Sequence, residues 1–195
     1  MSTPDSCFYK FLFESNLEFC RKGDGSTVIY GSLNLTSSGI TQIPDKLTII
    51  NSLIMRHCDI ECLPGKLHVI EDLDLKNTPI KTLPKDLQVG GNLFLENSQI
   101  YALPDNMGID GGLDLENTPI AQLPSNLFVG DYLNIQGTNI TSLPKDLYVG
   151  QNLLMDTDKI ARDAAFQSIM ARGVIWPRPE RYGDARAESG DGIVY

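Results

Sequence analysis

Apolar positions along this chain recur on a ruler of 20 residues. A Leu/Ile-Pro pair stands at Ile43-Pro44, Leu63-Pro64, Leu83-Pro84, Leu103-Pro104, Leu123-Pro124 and Leu143-Pro144. Five residues after each Pro comes a β-branched residue, Ile49, Val69, Val89, Ile109, Val129 or Val149. A pair at spacing two follows, as in Leu73/Leu75, Leu93/Leu95 and Leu113/Leu115, and each turn closes on an isoleucine such as Ile80, Ile100 or Ile120. A partial earlier turn is visible as Ile29, Leu33, Leu35 and Ile40. A period of this length marks stacked supersecondary units. Spacing two, broken by gaps of three or four, predicts short strands with alternate side chains turned inward and corners between them. Proline in every turn and β-branched inward sites argue against a helical repeat.

The corners carry turn chemistry. Gly31, Asn51, Gly91, Gly111 and Asp131 share one corner, and Asn77, Asn97, Asn117 and Gly137 share another. These residue types are expected where φ is positive. At the third corner a polar pair follows Pro, as in Lys85-Asp86 or Asp105-Asn106, and Pro presets φ for a turn. One such turn cannot offset the entropy of ordering itself, so stability must belong to the stacked array, and its ends must be capped.

The fold class expected is therefore a repeat solenoid, mostly β, with short parallel strands, an N-terminal aromatic cap and a C-terminal helical cap. Phe8, Phe11, Leu12, Phe13, Leu17 and Phe19 are expected to cover the first coil. Residues 17–20 and 27–30 flank a turn-rich run and predict a hairpin entering it. Asp158 is the expected cap of a helix running to about Arg172, which Gly173 stops. The expected organisation is a cap over 1–27, a solenoid over 28–157, a capping helix over 158–173 and a disordered tail over 174–195.

Composition adds exclusions. A formal charge of −9 and a pI near 4.6 argue against nucleic acid and against an anionic membrane surface. No basic segment followed by an apolar run and a cleavage site opens the chain, and it has no stretch of about 18 apolar residues, so a cytoplasmic protein is expected. Four cysteines without a framework spacing fit a reducing compartment.

The run Leu-x-Leu-x-x-(Thr/Ser)-x-Ile-x-x-Leu-Pro, as in Leu95-Glu-Asn-Ser-Gln-Ile-Tyr-Ala-Leu-Pro104, resembles the 20-residue Leu-Pro leucine-rich repeat of bacterial effectors of the YopM and IpaH groups. It is also similar to repeat proteins of bacteria and phages in which a segment like Val89-Gly90-Gly91-Asn92 precedes the strand. The resemblance spans roughly residues 28–160 and implies recognition of another protein, inside a cytoplasm or after delivery into a host cell. Two departures stand out. The family's Asn is replaced by Thr, Ser or Cys, so a hydroxyl ladder is expected to satisfy the backbone between turns. No ligase-like domain with a nucleophilic Cys follows residue 160.

Recognition is expected on the outward face of seven stacked Leu-x-Leu strands, a sheet on the order of 30 Å across at about 4.8 Å per rung. Asn34, Ile54, Asp74, Phe94, Asp114, Asn134 and Leu154 lie between the leucines. The candidate partner-binding residues are Asp72, Asp74, Phe94, Glu96, Asp114, Glu116 and Tyr132: a solvent-facing ring among carboxylates, suited to a protein hot spot. The bland alternative is a solvated surface that is acidic because the whole chain is. Tyr101, Phe128 and Tyr148 read as scattered surface.

Chemistry has little support. His57-Cys58-Asp59 puts a thiol at an inward site and an imidazole on a corner, so the two diverge. Cys58 and Cys62 with His57 and His68 lack the paired spacing of structural zinc. The glycine pairs recur with the coil and read as corners rather than phosphate loops. No enzyme activity, cofactor or metal is expected, and a monomer that binds a protein partner is. The competing reading is a structural or assembly component of a phage particle or adhesion apparatus, self-associating through its surface or its tail. A hydrolase or transferase would need a concave pocket.

Overall fold

The computed structural model describes residues 4–156 and 158–171. Each 20-residue turn contributes two short strands, so the chain winds into a parallel β-solenoid. One series comprises β2 (Thr27–Ile29), β4 (Leu47–Ile49), β6 (His68–Val69), β8 (Gln88–Val89), β10 (Gly108–Ile109), β12 (Phe128–Val129) and β14 (Tyr148–Val149). The other comprises β3 (Leu33–Asn34), β5 (Leu53–Ile54), β7 (Leu73–Asp74), β9 (Leu93–Phe94), β11 (Leu113–Asp114), β13 (Leu133–Asn134) and β15 (Leu153–Leu154). The second series forms one uninterrupted seven-stranded sheet. Its register pairs Leu73 with Leu93 and Leu93 with Leu113, all parallel and all fully buried. The expected leucine spine is the core.

The first series divides. A strand β1 (Phe19–Arg21) pairs antiparallel with β2, making the expected hairpin, and the order continues β4-β6-β8; β10-β12-β14 form a separate three-stranded sheet. Helix α1 (Pro4–Glu14) lays Phe8 and Leu12 on the first coil, both fully buried. Tyr9 bonds the buried Thr27 hydroxyl at 2.8 Å while Arg21 stacks on its ring. Phe13 departs from the expected cap: it is 82% exposed, because α1 can present only one side to the coil.

The far helix begins later than expected. Ile160 is still a buried repeat residue, and Ala161 N–H bonds Thr141 O at 2.8 Å, so the last coil continues past Asp158. Helix α2 (Ala164–Ala171) starts later, with Asp163 rather than Asp158 as its cap: Asp163 Oδ1 accepts Phe166 N–H at 3.0 Å. The expected stop at Gly173 and the tail over 174–195 lie outside the described residues.

Two expectations about corners are revised. Ser37, His57, Asn77, Asn97, Asn117 and Gly137 do adopt positive φ. At the Gly91/Gly111 corner, however, only Gly31 does. A Cβ added at Gly111 would stand 2.7 Å from the Gly91 backbone, and one in the preceding column, at Gly150, 1.9 Å from Gly130 O. The hydroxyl column also bonds differently from the ladder anticipated. Thr78, Thr118 and Thr138 each donate to a carbonyl three residues back in their own turn, at 2.7 Å. Among the described residues of this column, only the Cys58 thiol reaches the preceding turn, at Leu35 O, 3.0 Å away.

Candidate binding face

Residues on the outward face of the seven-stranded sheet stand in three columns, because the parallel register places equivalent side chains one rung apart. The first column is a ladder joining turns. Asn92 N–H donates to Asp72 Oδ1 at 2.7 Å, Asn92 Nδ2 donates to the same oxygen at 2.9 Å, and Gly112 N–H donates to Asn92 Oδ1 at 2.7 Å. Longer bonds, both 3.4 Å, carry the pattern back through Ser52 Oγ and Ser32 Oγ. Gly112 has no side chain to continue it. The Tyr132 ring lies across that glycine instead, so close that an added Cβ would meet Cε1 at 2.1 Å.

The middle column corrects the expected exposure. Asp74 and Asp114 are 3% and 1% exposed, and Asn134 is buried with them. Each turns its Oδ1 back to accept the amide two residues on, from Lys76, Glu116 and Gln136 at 3.0–3.1 Å. This is the local bond for which Asp and Asn are suited where a strand ends. Asp74 also holds an ion pair with Arg56. Burial pushes the Asp114 carboxyl above its usual range, outweighing the stabilising Glu116 amide, and the Glu116 and Glu96 charges push the same way.

Phe94, the candidate hot spot, is half-buried rather than fully solvent-facing. Lys76 Nζ stands 4.9 Å from its ring centroid and 2.9 Å from Glu96 Oε2, linking two candidates through a cation absent from the expected set. Glu116 accepts a bond from Asn134 Nδ2 at 3.0 Å. The structure thus brings all seven candidates onto one face, but as bonded columns rather than as a ring of loose carboxylates. Phe94, Glu96, Glu116, Tyr132 and Asp72 keep partial exposure. Arg56 and Lys76, outside the expected acidic set, also belong to this face through their ion pairs with Asp74 and Glu96. Their signal was position, since both occupy the third column of the repeat.

Two hollows lie on the asparagine corner. One of about 570 Å³ is lined by His57, Cys58, Asp59, Asn77, Lys81 and Gln99 among others, and one of about 210 Å³ by Ser37, Thr41 and again residues 57–59. Cys58 there is buried, its thiol held above its ordinary value by desolvation and donating to a carbonyl. His57 is exposed on a left-handed corner, φ 55°. That arrangement supplies no activated nucleophile.

Phe128 and Tyr148, expected to be scattered, are register partners on β12 and β14. Their rings stack at 4.8 Å and 5°. Reading the column 108, 128, 148 down the repeat would have found them. Tyr101 is exposed and has no part in that stack.

No helix among the described residues is long and apolar enough to cross a membrane. The chain matches no family model, no curated protein and no solved structure.

Proposed function

We propose that the chain is a non-catalytic module that binds a protein partner on the outward face of its seven-stranded sheet. The observation that carries this reading is the Phe94 ring, which keeps accessible area at the middle strand of a hydrogen-bonded face, with Lys76, Glu96, Glu116 and Tyr132 around it. Ordering those side chains beforehand lowers the entropy lost on docking. A half-exposed aromatic flanked by paired charges supplies buried area and orientation together. Asp74 and Asp114 hold the face, whereas Phe94, Glu96, Glu116 and Tyr132 meet the partner. The finer reading rests on the Leu-Pro repeat run: a leucine-rich-repeat protein of bacterial or phage origin, monomeric and cytoplasmic or delivered as an effector to act on a host protein.

Capture from lysate on immobilised protein, with Phe94→Ala and, as a control outside the face, Tyr101→Ala variants beside it, tests the face. Proteins retained by the unaltered chain and by Tyr101→Ala but lost with Phe94→Ala, at unchanged melting temperature, are the expected result. Identical capture by all three forms would remove the seven-stranded face from consideration.

A further inference from the structure

The first strand series breaks at a defined place. In other turns a strand amide bonds the carbonyl one rung back: Gln88 N–H to Leu67 O, Phe128 N–H to Met107 O and Tyr148 N–H to Leu127 O, all at 2.9–3.0 Å. Among the described residues Gly108 N–H and Asp110 N–H have no such bond, and β8 and β10 do not pair. The corners preceding the strands offer a cause. Lys46, Lys66, Asn106 and Asn126 are left-handed, whereas Leu87 and Leu147 close turns onto Pro84 O and Pro144 O at 3.2 Å. Passing from the Pro84 turn to the Asn106 corner is the one step in the described chain from the second kind to the first.

A slot results at Gly108. It is exposed, its backbone is outside the left-handed region, and no atom lies within 4 Å of where a Cβ would stand. Its register partner is Phe128, whose other side is already stacked on Tyr148 at one strand spacing. The stack is therefore two rings long and has room for a third flat group over Gly108. Asp105, at the corner before the strand, and Asp110, two residues beyond Gly108, are both exposed.

We infer that this slot takes the guanidinium of an arginine on a basic segment of a partner protein. A guanidinium is planar, permanently charged and weakly hydrated, and it stacks on aromatic faces. The flat aromatic wall asks for a planar group, and the aspartates, within a chain of net charge −9, ask for a cation. Lysine meets only the second demand. This surface belongs to the other sheet and does not depend on the Phe94 face.

The test is fluorescence anisotropy of labelled hexa-arginine and hexa-lysine peptides titrated with the full chain. Both feel the net charge, so the difference between them reads the stack. Hexa-arginine should bind about 5- to 10-fold tighter, the range open to a partly desolvated cation–π contact. Gly108→Phe, which supplies the third ring from within, and Phe128→Ala should each bring it to the hexa-lysine value. A Cβ at Gly108 meets no atom within 4 Å, and a preserved melting temperature of Gly108→Phe separates slot filling from misfolding. Equal binding of the two peptides, or a preference that survives Gly108→Phe, overturns the inference. So does a dimer seen by light scattering that Gly108→Phe disperses, which would assign the slot to a second copy. Retention on a cellulose matrix that is lost in the same variant would assign it to a sugar.

Discussion

The two sheets of this coil arise from one repeat, yet only one of them is continuous. In the seven-stranded sheet, the backbone ladder is reinforced by Asp72, Asn92 and the serines before them, whose side chains accept amides from the next turn. The other series lacks an equivalent run and separates between β8 and β10. Periodicity sets which strands lie beside each other. Column chemistry and corner conformation decide whether they bond. The continuous sheet seals its polar groups into itself, while the interrupted one leaves a stacked aromatic pair and an open glycine at the surface.

The largest expected effect separates the two sides of one strand. Leu93 is fully buried, so Leu93→Ala should cost about 2–5 kcal/mol in chemical denaturation. Phe94→Ala, one residue along, should cost well under half of that. A reversed order would mean that the register is inverted.

Glycines sharpen the contrast next. Gly150→Ala would put a Cβ 1.9 Å from a backbone oxygen and should cost about 1–3 kcal/mol. Gly108→Ala meets open space and should gain about 0.4–1 kcal/mol by restricting the unfolded chain. If both were destabilising to the same degree, the second sheet would be as tightly stacked at Gly108 as elsewhere.

Asn92→Ala probes the side-chain ladder. It removes the acceptor for Gly112 N–H and a donor to Asp72, with an expected loss of about 1 kcal/mol for a partly buried site. No loss would make the ladder an ornament of the face rather than part of its strength.

The smallest effect is pH-dependent. The folded Asp114 carboxyl holds its proton to higher pH than the unfolded one because it is buried. Between the unfolded and the raised folded value the folded state therefore binds more protons, and stability falls as pH rises through that window. Above it the charged form weighs fully against the fold; below the unfolded value the cost is gone. Asp114→Asn keeps an acceptor for the Glu116 amide, as Asn134 does for Gln136. It should raise the melting temperature at neutral pH, with the gain shrinking towards acid pH. A gain independent of pH would point to something other than the charge.

The inward leucines, the seven parallel rungs and the entry hairpin were legible because spacing alone dictates direction in a strand. Exposure was not legible from direction. Asp74 and Asp114 do point to the outer face, but neighbours one rung away and their own bonds to the amides at 76 and 116 shut them off from water. Glycines at 91 and 111 suggested positive φ, which neither adopts; a Cβ at either would instead meet the turn before it, a contact that a single sequence does not state. Asp158 looked like a helix cap because the repeat residue Ile160 also fits a helical pattern; Asp163 holds that role. The Phe128–Tyr148 stack was available from the ruler itself and was missed by reading aromatic residues one at a time.

Residue-resolved amide hydrogen exchange tests the difference between the sheets most directly. Gly108 and Asp110 amides should exchange far faster than Phe128 and Gly130, which bond the rung before them, and faster than Leu93 and Leu113 in the continuous sheet. Equal protection at Gly108, Phe128 and Leu113 would contradict an interrupted sheet, and the slot argued from it would go too.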